Sequence, residues 1–240
     1  MTFHSDARAR ILVIDDELQI RRFLRIGLRS QGYVVSEADT AAEGARMASS
    51  GVFDLVILDL GLPDADGKTV LAAVRRVSSV PVIVLSVRAS EAEKVAALDG
   101  GANDYVTKPF GVQELFARVC NLLRHHAGGQ TTVAGFDDGR VCIDLVRRLL
   151  TVDGEAVQLG RKEYAVLAAL AAHPGEVVTQ SQLLRDIWGP THVAHTHYLR
   201  IVVAKLRQRL GDAAGEPRYI LTEPGVGYRF IAEGGAPPSA

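Results

Sequence analysis

Asp54-Leu-Val-Ile-Leu-Asp59-Leu-Gly-Leu-Pro63-Asp-Ala-Asp-Gly67 is the stretch from which the fold of this chain can be read. An apolar run of strand length ends in a single carboxylate and gives way to a Gly/Pro/Asp turn. Asp59 therefore stands at a strand exit, where the backbone stops pairing and a side chain can meet a ligand. Three other runs end the same way: Ile11-Leu-Val-Ile14 at Asp15-Asp16, Pro81-Val-Ile-Val-Leu85 at Ser86, and Tyr105-Val-Thr at Lys108-Pro109. Tyr33-Val-Val-Ser adds a further strand. Segments of helical period alternate with these strands. Glu17 to Gln31, closed by Gly32, turns Ile20, Phe23, Leu24 and Leu28 to one face; Thr40–Ser50, Asp66–Val77, Glu91–Leu98 and Val112–Arg124 follow. The alternation predicts an α/β unit, a doubly wound, five-stranded parallel sheet. Ligands of such sheets bind at the carboxyl ends of the strands.

The residues delivered to that edge define a chemistry. Asp15, Asp16 and Asp59 repel one another when brought together, and a hard divalent cation with oxygen ligands, Mg²⁺, relieves the repulsion. Lys108 brings a compact positive charge. A carboxylate between a metal ion and an ammonium is a good phosphoryl acceptor, because the two cations share the charge of an in-line transfer. Ser86 is placed to donate a hydrogen bond to a phosphoryl oxygen. Singly, each residue has a plainer reading: Asp16 and Ser86 as helix caps, Lys108-Pro109 as an ordinary turn. Together at one sheet edge they favour the chemical reading.

In their order and on these strands, Asp15-Asp16, Asp59, Ser86, Tyr105 and Lys108-Pro109 resemble the receiver domain of two-component response regulators. The resemblance implies Mg²⁺ bound by Asp15, Asp16, Asp59 and the Gly61 backbone carbonyl. It also implies that Asp59 accepts a phosphoryl group from a sensor histidine kinase. Ser86 and Lys108 would then read the product, Tyr105 would change rotamer with the state of the site, and Lys108-Pro109 would be cis. Within the OmpR/PhoB-type branch, Lys94, Asp104, Glu114 and Arg118 fall where intermolecular ion pairs join a phosphorylation-dependent homodimer. Asn103 and Asn121 depart from the charges common there. As residues alone, these are solvated helix-face charges.

Composition fits a two-domain protein: 240 residues, 48% hydrophobic, 23% charged. No apolar run approaches the ~20 residues of a membrane span, and the start lacks the order of a signal peptide, so no membrane partner and a cytoplasmic location are expected. Cys120 and Cys142 sit in apolar patterns and read as reduced structural thiols. Net charge is −1, but His195 to Leu210 holds Arg200, Lys205, Arg207 and Arg209 and no acid. Positive charge is gathered on one predicted helix.

Residues 1–126 form the expected first domain, 127–132 a polar linker, and 133–240 a second domain ending in a disordered tail from Gly234. Short strands are predicted at Arg140–Asp144, Arg148–Val152 and Ala156–Leu159, and helices at Lys162–Ala172 and Gln180–Trp188. On the basic helix, Leu199, Val203, Leu206 and Leu210 make a core stripe. His197, Tyr198, Arg200, Ala204, Lys205 and Arg207 lie on faces suited to a major groove. Arg218 to Phe230 reads as a hairpin whose Gly-rich tip leads to Arg229, placed for phosphate or minor-groove contact. His192-Val-Ala-His195-Thr-His197 fits no standard zinc spacing.

This half is similar to the α+β winged helix-turn-helix domain of OmpR/PhoB-type regulators, on Leu159, Glu163, Leu167, Pro174-Gly175, Leu183-Leu184, Trp188-Gly189, Leu206-Arg207, Leu210 and Gly225-Val-Gly-Tyr-Arg229. Gly160 departs from the threonine common before the first helix and weakens that cap. His197-Tyr-Leu-Arg-Ile201 and Thr222-Glu-Pro-Gly-Val-Gly-Tyr-Arg-Phe230 resemble the potassium-transport (Kdp) regulators within the family. The implied function is transcription control, through binding of double-stranded DNA, with RNA polymerase as a further partner. Enzymatic turnover is not expected beyond slow Mg²⁺-dependent autophosphorylation and autodephosphorylation. An aspartyl-phosphate phosphatase needs a second acid two residues after the nucleophile, where this chain has Gly61. A constitutive DNA binder with a structural receiver, or control of a different regulon, are the rival readings.

Overall fold

The computed structural model describes residues 8–127, 135–212 and 217–231. The chain divides into two compact units, Met1–Ala127 and Gly128–Ala240. Ala127, expected to open the linker, is the last residue of a helix; 128–132 and the tail from 234 lie outside the described residues.

In the first unit, β1 (Arg10–Ile14), β2 (Val34–Ala38), β3 (Leu55–Asp59), β4 (Val82–Ser86) and β5 (Asp104–Thr107) pair in the order β2-β1-β3-β4-β5, every pair parallel. They alternate with α1 (Leu18–Ser30), α2 (Ala41–Ala48), α3 (Gly67–Val77), α4 (Glu91–Asp99) and α5 (Val112–Ala127). Every residue of β3 and β4 is buried, which is why these strands read as continuous apolar runs rather than alternating ones. The strand order reverses at β1, so the crevice lies at the carboxyl ends of β1 and β3.

Local chemistry fixes the helix starts. Thr40, Asp66 and Ser90 side chains accept from the amides of Glu43, Lys68 and Glu93. Asp64, from the loop after β3, accepts from Ala41 and Ala42 at 2.7 and 3.0 Å, so α2 is capped from across the fold. Neither Asp16 nor Ser86 serves as a cap: α1 begins after Glu17 and α4 after Ser90. Gly67 starts α3 hard against the exit of β3; a Cβ there would lie 2.7 Å from the Leu60 Cα. Phe23 corrects the sequence reading. It is 46% exposed, because Leu24 and Leu28 define the inward line of α1 and Phe23 stands a third of a turn away. Cys120 is likewise exposed and Cys142 half-buried; both are free thiols.

The second unit opens with an antiparallel sheet, β6 (Gly135–Asp137), β7 (Val141–Asp144), β8 (Leu149–Val152) and β9 (Glu155–Ala156), in that order. Then come α6 (Arg161–Ala171), β10 (Val177–Thr179), α7 (Gln180–Trp188), a 3₁₀ turn (Pro190–His192), α8 (Thr196–Leu210), β11 (Ile220–Glu223) and β12 (Gly227–Phe230). The last three strands pair as β10-β12-β11. Leu199, Val203, Leu206 and Leu210 of α8 are fully buried against α6, α7 and the hairpin, as their spacing predicts. The sequence reading missed β6 and β10, each three residues long, and drew β9 three residues too far. Such short strands exist by pairing across the chain, Val177 with Arg229 and Phe136 with Ile143, not by local pattern. Gly160 caps α6 with no side chain; the Glu163 carboxylate accepts from its amide instead.

Candidate functional site

Four strand ends of the first unit converge. Lys108, just past β5, places Nζ 2.9 Å from Asp15 Oδ2, 2.8 Å from Asp59 Oδ2 and 3.2 Å from Glu17 Oε1. Asp15 is 1% exposed and Asp59 6%. Three carboxylates thus face one ammonium, with Asp15 and Asp59 shielded from water and Glu17 at the exposed rim. Burial pushes the Asp15 carboxyl up against the pull of Lys108. Burial also opposes the lysine's charge, but hydrogen bonds to Asp59 and Asp15 outweigh it and hold Lys108 well above the ordinary lysine range. Asp59 Oδ1 accepts from the Gly61 amide at 3.2 Å. A Cβ on Gly61 would pack 3.7 Å from the same carboxylate, so glycine keeps that side of Asp59 open.

The grouping differs from the sequence reading in one member. Asp15, Glu17 and Asp59 bring carboxylate oxygens within 4.8 Å of one another; Asp16 is exposed and stands outside this set. The chain bends at Asp16 just past β1, which leaves its side chain in solvent while Asp15 is buried. Arg21 braces the turn by donating to the carbonyls of Asp15 and Asp16 at 2.6 and 2.8 Å. All-oxygen, acidic donors with a net negative charge suit a hard divalent cation.

On the far side, Ser86 is 2% exposed and its Oγ accepts from the Arg88 amide at 3.1 Å. Tyr105, on β5, lies inside the fold, donating its hydroxyl to the Arg88 carbonyl at 2.6 Å. Lys108-Pro109 is cis.

In the second unit α8 presents His197, Tyr198, Arg200, Ile201, Ala204, Lys205, Gln208 and Arg209 to solvent. Two residues expected to meet DNA do other work. Arg207 donates through Nε and Nη2 to the Ile220 carbonyl, at 3.2 and 2.6 Å, and through Nη2 to Thr222 Oγ1 at 2.7 Å. Arg229 is 8% exposed, paired with Glu223 at 2.9 Å and bonded to the Gly175 carbonyl. Both sit on strand-facing positions where a guanidinium finds buried acceptors before it finds water. The His192 and His195 rings stack edge-on at 5.5 Å, and no three-ligand group forms among these histidines in the described residues.

Comparison with known proteins assigns both units. Residues 11–120 match the response regulator receiver domain, and residues 154–230 match the C-terminal domain of transcriptional regulatory proteins. The KDP operon transcriptional regulatory protein KdpE of Escherichia coli is 46% identical over 223 residues, covering 92% of this chain and 98% of its own. The chain is a response regulator of the OmpR/PhoB type. KdpE of Mycobacterium tuberculosis is 44% identical over 223 residues, covering 92% of this chain and 99% of that one. Among solved structures, the OmpR/PhoB homologue DrrB of Thermotoga maritima covers 94% of this chain and 100% of its own at 29% identity and a TM-score of 0.48.

The response regulator's expected dimer face is tied within one chain. Arg118 bonds Asp104 at 2.9 Å and Glu114 at 2.7 Å, and Asp104 is wholly buried, not a solvated face charge. Lys94 is half-buried. Sequence reasoning missed Glu17, Arg21 and Arg88. Glu17 follows an acid pair directly and carried a signal; the two arginines carried none, since Arg21 bonds backbone carbonyls and Arg88 meets Asp66 and Glu93, which lie on other elements.

Proposed function

We propose that this DNA-binding response regulator is switched by phosphorylation of Asp59 from a sensor histidine kinase. The carrying observation is the Asp59 carboxylate, held 2.8 Å from the Lys108 ammonium in a buried acidic pocket. Asp15, Asp59 and the Gly61 carbonyl, with Asp16 and Glu17 at the rim, would hold Mg²⁺. When bound, the ion supplies charge neutralisation for an in-line transfer. Lys108 pairs with the Asp59 carboxylate and steadies the charge that builds on the phosphoryl oxygens. The open side left by Gly61 admits the donor. Ser86 turns to donate its hydroxyl to a phosphoryl oxygen, and Tyr105, bonded from β5 to the Arg88 carbonyl of the adjoining loop, responds.

The downstream reading is dimerisation through α4, β5 and α5, with Arg118 exchanging its intrachain partners for ones across the interface. Two winged-helix domains, each tethered to its receiver by the residues after Ala127, then occupy adjacent half-sites and engage RNA polymerase from the cytoplasm. No helix among the described residues is long and apolar enough to cross a membrane. The likeness to KdpE over nearly the full chain supports a potassium-transport operon as the target. Slow self-phosphorylation from small donors and slow self-dephosphorylation are the only turnover.

Asp59→Asn tests the switch. With acetyl phosphate and Mg²⁺ the wild type should dimerise and bind DNA upstream of the host's potassium-transport operon more tightly, while the variant does neither. Equal responses from both would remove the mechanism. Binding that ignores phosphodonor in the wild type would favour a constitutive DNA binder.

A further inference from the structure

Arg21 sits in α1 near the positive end of the helix dipole, where an acid would be favoured; that end has no side-chain cap and no acid in its first turn. Two main-chain oxygens compensate. One guanidinium nitrogen, Nη1, donates to the Asp15 carbonyl at 2.6 Å and to the Asp16 carbonyl at 2.8 Å, and the side chain is 12% exposed. Among the described residues its one carboxylate partner is Asp39, 3.7 Å away just past β2 and itself 58% exposed. Arg21 therefore pairs with no acid of the phosphorylation pocket. It holds the backbone that carries them.

A carbonyl and the amide that follows it belong to one rigid peptide plane. By bonding two successive carbonyls, Arg21 pins the planes that join Asp15 to Asp16 and Asp16 to Glu17. The second plane carries the Glu17 amide, which donates to Asp15 Oδ1 at 2.9 Å, while Lys108 holds Oδ2 at 2.9 Å. The buried carboxylate is thus aimed from both oxygens, one of them through Arg21. We propose that Arg21 is a positioning residue of the Mg²⁺ site and that this relay sets the site's preference for Mg²⁺ over Ca²⁺. Mg²⁺ requires a near-octahedral shell at about 2.0–2.1 Å, whereas Ca²⁺ accepts more oxygens at about 2.3–2.6 Å in flexible arrangements. A turn released from Arg21 lets its carboxylates spread, which costs the smaller ion more. This rests on the reading of the acidic pocket as a divalent-cation site.

Calorimetric titration of the metal-free, full-length protein with Mg²⁺ and, separately, with Ca²⁺ at fixed ionic strength tests this. Arg21→Met keeps the bulk of the side chain and donates nothing. It should lose about tenfold in Mg²⁺ affinity and much less in Ca²⁺ affinity, with circular dichroism intact. Charge alone predicts the opposite sign, since removing a cation beside the pocket raises the affinity for both ions. Arg21→Lys keeps the charge without the planar head and should give a Mg²⁺/Ca²⁺ ratio between the two; it also carries the test if the methionine variant does not fold. Asp39→Asn removes the exposed ion pair, leaves the carbonyl bonds and should keep the wild-type ratio. A rise or an equal change for both ions in Arg21→Met, a wild-type ratio in Arg21→Lys, or a lost ratio in Asp39→Asn overturns the proposal. A wild type that binds no Mg²⁺ would instead remove the metal site itself.

Discussion

The Tyr105 hydroxyl donates to the main-chain carbonyl of Arg88, while the amide of the same Arg88 donates to Ser86. One residue of the β4–α4 loop is thus held from both the phosphorylation pocket and β5. Its side chain extends the link, lying 3.5 Å from Asp66 at the start of α3 and 3.6 Å from Glu93 on α4, which also binds Lys68 at 2.7 Å. If a phosphoryl group draws Ser86 away, the Arg88 amide loses its partner and the disturbance reaches α3 and α4. Arg88→Ala should therefore accept phosphate at Asp59 at close to the wild-type rate but lose most of the phosphorylation-dependent gain in DNA affinity. Parallel phosphorylation and DNA titrations check this; a retained gain refutes it.

Tyr105→Phe deletes the hydroxyl and leaves the Arg88 carbonyl unpaired. Burial raises the phenol's pKa, so it remains a donor throughout the neutral range. The expected loss is about 1 kcal/mol of stability, with faster amide exchange in the β4–α4 loop and little change elsewhere in the sheet.

Mg²⁺ should raise the unfolding temperature of the wild type, since it neutralises the excess of carboxylates around Lys108. At a hundredfold excess over its dissociation constant a ligand stabilises by about 2.7 kcal/mol. Asp15→Asn and Asp59→Asn should each remove most of that rise. Thermal melts with and without Mg²⁺, using Ca²⁺ as comparison, provide the measurement.

Arg118→Ala leaves the Asp104 carboxylate, which is wholly buried, without its guanidinium. Breaking a buried ion pair from one side costs about 3 kcal/mol or more. Denaturant unfolding should show that loss in the monomer before any dimer forms, whereas a purely intermolecular role would leave monomer stability unchanged.

Asp138 carries a pH signature of the effector domain. Burial pushes its carboxyl up, but bonds from the Val141 amide, the Tyr219 hydroxyl and the Arg140 amide outweigh burial and hold it below the usual range. A depressed carboxylate contributes stability above its unfolded pKa and loses it as pH falls through the folded value, so the window lies below about pH 4. Tyr219→Phe removes the 2.8 Å bond to Asp138 and should shift the Asp138 titration upward by NMR. An unmoved titration would show that the backbone amides alone hold it down.

Much of the receiver was legible in advance because its signals are local. Apolar runs ending at Asp15, Asp59, Ser86 and Lys108 are properties of a few adjacent residues, and a parallel sheet places all such ends on one edge. The stripe Leu199-Val203-Leu206-Leu210 was equally local. Phe23 failed because helical spacing defines a stripe only to within about a third of a turn, and the neighbouring sheet selects its centre.

What tertiary structure alone decided is partnership. Sequence by itself determined the two domains, the parallel sheet, the phosphoacceptor edge and the basic helix, since each is written in period, run length and residue type. It did not determine that Glu17 rather than Asp16 faces Lys108, which lies 91 residues from it. Nor did it determine that Arg207 and Arg229 bond carbonyls 13 and 54 residues away instead of facing solvent. A guanidinium is equally at home on phosphate, carboxylate or main-chain oxygen. Which of these it meets depends on what the rest of the chain folds against it.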